Sequence, residues 1–254
     1  MKKEEFFKID LPKWPGLLVR GEKITEEQAA EIILRTSGRI SCNDDNFTNA
    51  VKCLIYDVQD DGKSAYYDKV NDLIREKIGV EKDSPGAWEK IWGYKEKRDN
   101  EIGILELSYL GNYQICSSWI GGPHGWCNWD GTISACNYNI GKWPTVEVVY
   151  EEWVLIAKTF PFLDLRCQLL NHEQRFPEMT TNPGPVIEFR VKGGKVKMSI
   201  PSKVLCESED VDVIAFDKEI GCTIEDVKRA LDICLNIHPK NLSLNPIELN
   251  QHVQ

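Results

Sequence analysis

A stretch of seven residues near the middle of the chain brings together the side chains best suited to chemistry. His124, Cys127 and Asp130 lie here. An imidazolium lowers the pKa of a nearby thiol, so Cys127 with His124 could act as a nucleophile. His124 with Asp130 or Glu106 could act as a general acid and base. The spacing matches no established catalytic motif, so an enzyme centred on these residues is one hypothesis among three.

The same histidine could take part in a metal site. His124 and Cys127, with Cys116 and Cys136 on the neighbouring predicted strands, would supply three thiolates and one imidazole for zinc. The separations of 11 and 9 residues between the cysteines lack the paired knuckles of such sites, and cysteine on a strand is more often a small buried apolar residue. We therefore predict no metal and no cofactor.

Residues 103–145, here called the aromatic segment, differ most from the rest of the chain. They hold three charged side chains, seven aromatic residues and seven glycines, whereas 28% of the whole chain is charged. The tryptophans could pack onto the protein's own sheet, with glycines forming tight turns. They could instead form a binding site, because indole rings offer flat contact surfaces and glycine lets a ligand approach the backbone. The predicted binding residues are Trp119, His124, Trp126, Asn128, Trp129, Asp130, Asn137, Asn139 and Trp143.

Composition limits the class of protein. The chain has 254 residues and a net charge of −9, which argues against broad nucleic-acid binding but leaves room for a local basic patch. No apolar run is long enough for a transmembrane helix, and the N-terminus lacks the apolar core of a signal peptide. The nine cysteines then indicate reduced thiols in a cytoplasm.

Helix signals are clearest at two capping boxes. Thr25 with Gln28, and Thr223 with Asp226, have the residue types that satisfy free backbone N–H groups at a helix start. Apolar spacing near 3.6 residues extends these helices and predicts others. The predicted helices cover 25–36, 46–57, 65–79, Thr145 to just before Pro161, and Thr223 to about Asn236. Residues 55–58 could equally end the second of these as a strand.

Strand signals begin at about residue 101. The predicted strands are 102–110, 113–120, 132–140, 162–170, 186–191, 195–200 and 211–216, with hairpin turns at Gly111-Asn112 and Gly193-Gly194. Residues 121–131 read as a loop, residues 81–100 as a short helix followed by a solvated connector, and residues 1–20 as an extended arm shaped by Pro12 and Pro15.

This order of elements predicts an α+β fold. A mostly antiparallel, ferredoxin-like sheet spans about 101–216, with helices packed on one face. Residues 1–100 form an N-terminal arm and helical cap, and residues 101–254 form the sheet region with a C-terminal helix. We expect one continuous core rather than independent domains.

Several motifs resemble a group of uncharacterised proteins carried by tailed bacteriophages and prophages. They are WPGLLVRG at 14–21, SSWIGGPHGWCNWDG at 117–131, NYNIGKWP at 137–144 and FPFLDL at 160–165. The layout is also similar to ferredoxin-like phage and plasmid proteins of the YubB kind. The resemblance implies a compact α+β sheet domain and an accessory role in the cytoplasm of a bacterial host, and it carries over no catalytic residue.

Three functional hypotheses follow. The first is a phage-type accessory protein that inhibits a host component, such as an antiviral defence factor, by protein–protein binding through an acidic surface. The second is a small-molecule or nucleotide binder that uses the tryptophans of the aromatic segment, and the third is the enzyme described above. The aromatic segment could also mediate homo-oligomerisation, because exposed apolar patches are often interfaces.

Overall fold

The computed structural model describes the chain in eleven pieces. They are residues 1–10, 15–22, 24–36, 46–54, 63–103, 105, 107, 130–134, 145–171, 186–205 and 223–238. The helices are α1 Lys3–Phe6, α2 Glu26–Thr36, α3 Asn46–Leu54, α4 Lys63–Ile78, α5 Ala87–Ile102, α6 Val146–Thr159 and α7 Ile224–Asn236. The strands are β1 Pro15–Gly21, β2 Asp130–Ser134, β3 Asp164–Asn171, β4 Ile187–Lys192 and β5 Lys195–Ser199. Mixed helix and antiparallel sheet confirm the α+β class.

The five strands form one sheet in the order β2-β1-β3-β4-β5. Every neighbouring pair is antiparallel. Because β2 and β3 both run antiparallel to β1, they run parallel to each other, and α6 connects them. The sheet therefore contains a split β-α-β unit, in which a third strand lies between the two that the helix joins.

The strand at the centre of that unit corrects the prediction for the N-terminus. The sequence predicts an extended arm over residues 1–20, but its end belongs to β1, which pairs with both β2 and β3. The predicted sheet of residues 101–216 lacked this strand. Pro15 can lie in an interior strand because it is the first residue, where a missing N–H disrupts the ladder least.

The capping boxes form as predicted. Thr25 Oγ1 accepts from the N–H of Gln28, whose side chain accepts from the N–H of Thr25. Thr223 and Asp226 make the same reciprocal pair at the start of α7. Thr145 caps α6 by accepting from the N–H of Val148. These bonds satisfy backbone donors that the first helical turn leaves without partners.

The prediction for residues 81–100 is wrong, and so is the predicted start of the strand 102–110. The chain at 81–100 does not end in a solvated connector, because α5 continues through Ile102. Apolar residues at one edge of α5 account for its length, since Ile91 and Ile102 are buried. The predicted strand 102–110 does not begin at Ile102, and Leu105 and Leu107 are buried outside any strand.

The two faces of the sheet differ in burial. Ile187, Phe189 and Val191 alternate along β4 and are fully buried, in the same apolar cluster as Trp153 and Ile156 of α6. The hairpin between β4 and β5 turns at Gly193 and Gly194, as predicted. Both have positive φ, 55° and 74°, a conformation that favours glycine. The residues between those buried ones on β4 face away from α6.

Helices α2, α3, α5 and α7 pack against one another. Arg35 of α2 is fully buried and donates to the carbonyls of Ile102 and His238. Arg98 of α5 donates to the carbonyls of Leu235 and Ile237, each at 3.1 Å. The two guanidinium groups thus stabilise the carboxyl end of α7, where helix carbonyls lack partners and carry partial negative charge.

Candidate binding face

Most of the site residues predicted from sequence lie outside the described residues. These are Trp119, His124, Trp126, Cys127, Asn128, Trp129, Asn137, Asn139 and Trp143. The backbone of Asp130 is described. It begins β2, so it lies in a strand rather than in the predicted loop, and its register partner is Arg20 of β1. The hypotheses built on the aromatic segment stay predictions.

The described residues do form a candidate site on the sheet face opposite α6. We call it the basic face and define it by five cationic residues of β3, β4 and β5: Arg166, Arg190, Lys192, Lys195 and Lys197. Strand alternation brings them to one side, because their neighbours Leu165, Val191 and Val196 belong to the apolar core or pack against it. The side chains of Arg166, Arg190 and Lys192 are 44%, 37% and 68% exposed.

The register aligns three of these cations in one row across the sheet. Arg166 lies directly opposite Arg190, and Arg190 lies directly opposite Lys197. On β1, the backbone register partner of Arg166 is Arg20. Adjacent strands are about 4.8 Å apart, so the row places like charges at a spacing that is unfavourable without counter-ions. A second pair, Lys192 opposite Lys195, flanks the hairpin turn.

Two carboxylates on the same face partly neutralise the row. Glu188 accepts from Nε and Nη2 of Arg166 at 3.1 and 2.7 Å. Asp164 forms ion pairs with Arg190 and, at 2.5 Å, with Lys192. Lys195 and Lys197 are exposed and make no ion pair within the described part of the chain. The basic face therefore keeps an excess of positive charge in a chain whose net charge is −9.

The surrounding cations change the titration of both carboxylates. The hydrogen bond from Lys192, together with the positive charge of Arg190, lowers the pKa of Asp164. For Glu188, burial acts in the raising direction and is the largest single influence. The hydrogen bonds from Arg166 and Gln168, with the charges of Arg166 and Arg190, outweigh that burial and lower the pKa. Both groups are therefore anionic at neutral pH and hold the arginines in place.

One end of the basic face is closed by the chain after β5. Gln168 is fully buried and donates to Glu188 at 2.8 Å and to the carbonyl of Lys203 at 3.0 Å. Its side-chain oxygen accepts from the N–H of Leu205 at 2.8 Å. Leu205 packs on Leu170 of β3. This segment positions Glu188, and through Glu188 it orients Arg166, while the cationic row stays exposed.

A groove of about 570 Å³, separate from the basic face, is lined by residues of α2 and α7. Its cation, Arg229, is paired with Glu26 at 2.5 Å and Asp226 at 3.9 Å. The groove also includes Glu27 and Asp232, so its unpaired charge is negative. Its electrostatic character is thus opposite to that of the basic face.

The basic face is suited to holding an anion. Guanidinium groups donate to phosphate and carboxylate oxygens in pairs, and lysines supply point charges around them. Within the described residues, no group of three His, Cys, Asp or Glu side chains could hold a metal ion. Over the same residues, no helix has both the length and the apolar character needed to cross a membrane.

The sequence contained a signal for this face that the prediction did not use. Arg190, Lys192, Lys195 and Lys197 occupy alternate positions on either side of the predicted Gly193-Gly194 turn. A hairpin with that alternation places all four on one side. The alignment with Arg166, by contrast, depends on the pairing of β3 with β4.

Comparisons with protein-family models, curated proteins and solved structures find no match for this chain.

Proposed function

We propose that this protein binds nucleic acid through the phosphate backbone, using the basic face of its sheet as the local basic patch for which its net charge leaves room. The observation that carries the proposal is the row in which Arg166, Arg190 and Lys197 lie directly opposite one another on three adjacent strands. Repeated cations at strand spacing match a polymer with repeated negative charges better than a single small anion. Phosphate contacts supply most of the affinity in such complexes and are largely independent of base sequence.

The two counter-ions support a reversible complex. The ion pairs with Glu188 and Asp164 restrict the side chains of Arg166 and Arg190, which reduces the entropy lost on binding. They also offset part of the positive charge, so phosphates compete with internal carboxylates. We expect weak to moderate affinity that falls steeply as salt rises.

The test is fluorescence anisotropy of labelled single-stranded DNA, duplex DNA and single-stranded RNA between 50 and 200 mM KCl, roughly the range over which counter-ion release is pronounced. The test variant is Lys195→Ala/Lys197→Ala, and its matched control is Lys82→Ala/Lys90→Ala, which removes two exposed lysines outside the sheet. We expect the test variant to lose about tenfold in affinity and to reduce the slope of log K against log salt by about 2.

Three results would overturn the proposal. The first is an equal loss of affinity in the control variant, which would indicate a general charge effect. The second is binding of polyglutamate more tightly than any nucleic acid, which would assign the face to an acidic protein. The third is absence of binding to every probe at the lowest salt concentration.

The broader expectations from the resemblance stay proposals. The split β-α-β unit supports a ferredoxin-like relationship for the sheet, because that arrangement recurs in ferredoxin-like folds. A phage-type accessory protein that inhibits a host component in the bacterial cytoplasm is compatible with a chain that acts by binding. Nucleic-acid binding on the basic face would be one activity of such a factor.

A further inference from the structure

Helix α5 exposes two large aromatic side chains. Trp88 and Trp92 are 48% and 37% exposed. Their ring centroids are 6.1 Å apart, and the ring planes meet at 89°. Ile91 and Lys95 are buried on the side of α5 that faces the other helices. Exposed tryptophan pairs are favoured at binding surfaces, because indole gives a large contact area with little loss of side-chain entropy.

The residue after Trp92 leaves the backbone open to approach. Gly93 lies in the middle of α5, where glycine is less favourable than alanine. No atom lies within 4 Å of the position that a Cβ would occupy, so packing within the described fold does not require glycine here. A glycine at such a place allows an outside group to lie close to the helix backbone.

Negative charge borders the tryptophan pair. Glu89 and Glu96 are exposed, and each lies within one helical turn of Trp92, where side chains three and four residues apart are neighbours. Neither forms an ion pair within the described residues. Trp92 already contacts one cation of its own helix, since Lys95 Nζ lies 5.4 Å from the ring centroid. The surface thus combines flat π-systems with carboxylates.

We propose that Trp88, Trp92 and Gly93, bordered by Glu89 and Glu96, form a docking surface for a partner protein segment that presents arginine. A guanidinium group stacks on an aromatic face and pairs with a carboxylate at the same time, which an ammonium group does less well. The charge is complementary, because the carboxylates attract the cationic segment. This surface lies on a different element from the basic face, and the two carry opposite charge.

The test uses a labelled peptide with six arginines separated by glycines, and a lysine peptide of the same spacing. Anisotropy reports binding to the full chain at several salt concentrations. We expect the arginine peptide to bind more tightly than the lysine peptide. Trp88→Ala/Trp92→Ala is expected to reduce its affinity about tenfold and Glu89→Gln/Glu96→Gln about threefold. The matched control is Glu76→Gln/Glu81→Gln, which removes two exposed carboxylates elsewhere and is expected to leave the affinity unchanged.

Substitutions at Gly93 distinguish an effect on docking from an effect on folding. Gly93→Ala and Gly93→Gln are both expected to raise the melting temperature, by about 2–4 °C, because both residues favour helix over glycine. Both should weaken peptide binding, the glutamine variant more. Unchanged binding in Gly93→Gln would overturn the proposal.

Other outcomes also decide the case. Equal affinity for the arginine and lysine peptides would overturn the choice of arginine. A loss of affinity in the Glu76/Glu81 control as large as in Glu89→Gln/Glu96→Gln would indicate a general charge effect and overturn the docking surface. Self-association that Trp88→Ala/Trp92→Ala abolishes, without peptide binding, would assign the surface to a second copy of the chain. Nucleic-acid binding is measured on separate variants, so failure of either proposal leaves the other intact.

Discussion

Arg166 and Arg190 lie directly opposite each other on the antiparallel strands β3 and β4. Two cations at this position repel each other, and each is held by its own carboxylate, Glu188 for Arg166 and Asp164 for Arg190. On the same face of the sheet, Glu188 is diagonal to Arg166, and Asp164 is diagonal to Arg190. Each carboxylate lies on the neighbouring strand, two residues along from the position directly opposite. Two internal ion pairs thus hold the two arginines side by side on the sheet.

The first prediction concerns the affinity of the basic face. Asp164→Asn removes the counter-ion of Arg190 and Lys192 while keeping the side-chain shape. We expect nucleic acid to bind about two- to fivefold more tightly, the range that corresponds to a partly exposed ion pair. Anisotropy at 100 mM KCl, roughly the middle of the salt series above, measures the change. Asp68→Asn, on an exposed position of α4, makes the same change in net charge, and an equal gain there would contradict the prediction.

The second prediction concerns the dependence of stability on pH. Asp164 and Glu188 have folded-state pKa values below their ordinary values, which are about 4 in an unfolded chain. Each therefore contributes stability above that pH, and the contribution is lost as pH falls through the folded pKa. We expect Asp164→Asn/Glu188→Gln to be less stable than the unmodified chain by about 1 kcal/mol at neutral pH. Urea unfolding from pH 7 downward should show this difference shrinking below about pH 4, whereas a constant difference would rule out the assigned ion pairs.

The third prediction concerns a buried amide. Asn71 of α4 is fully buried, and within the described residues neither of its amide atoms has a hydrogen-bond partner. A buried polar group without a partner destabilises the fold, so an apolar side chain of similar size should be better accommodated. We expect Asn71→Leu to raise the free energy of unfolding by about 1–3 kcal/mol. Chemical denaturation measures it, and a less stable Asn71→Leu protein would show that the amide makes an essential contact.

The fourth prediction concerns Arg35. This buried guanidinium pairs with Glu31 at 3.1 Å and donates to carbonyls at the ends of α5 and α7. The planar guanidinium of Arg35 donates to all of these partners at once, and the compact ammonium group of a lysine cannot. Arg35→Lys therefore leaves buried acceptors without donors. We expect a loss of about 2–4 kcal/mol in the free energy of unfolding. Arg229→Lys, at a more exposed pair with Glu26, provides the comparison and should cost less than about 1 kcal/mol. Similar losses in the two variants would contradict the role given to Arg35.

Local sequence patterns predicted much of the regular structure because their causes are local. The Thr25 and Thr223 capping boxes, the cap at Thr145 and the Gly193-Gly194 turn depend on backbone groups within a few residues. The apolar periodicity of α2, α4 and α7 likewise reports a single helix face. Where the chemistry lies within one turn or one helix, the residues that decide it are adjacent in sequence.

The errors arose where distant segments meet. Proline and tryptophan around residue 14 indicated an extended chain, but whether such a chain pairs depends on β2 and β3, more than a hundred residues away. The same holds for α5, whose charged sequence suggested solvent although one edge carries Ile91 and Ile102 into the core. The predicted site residues at 119–129 and 137–143 lie outside the described residues, so they stay predictions.

The sequence by itself determined the helix starts, the β4–β5 turn and the alternation that gives the hairpin one cationic side, since these follow from bond geometry within a few residues. Only the tertiary structure decided that β1 lies between β2 and β3, and that Arg166 lines up with Arg190 and Lys197. The physical reason is that strand register is set by long-range burial of one apolar face. A shift of one residue in that register would turn Arg166 to the opposite face of the sheet, away from Arg190 and Lys197.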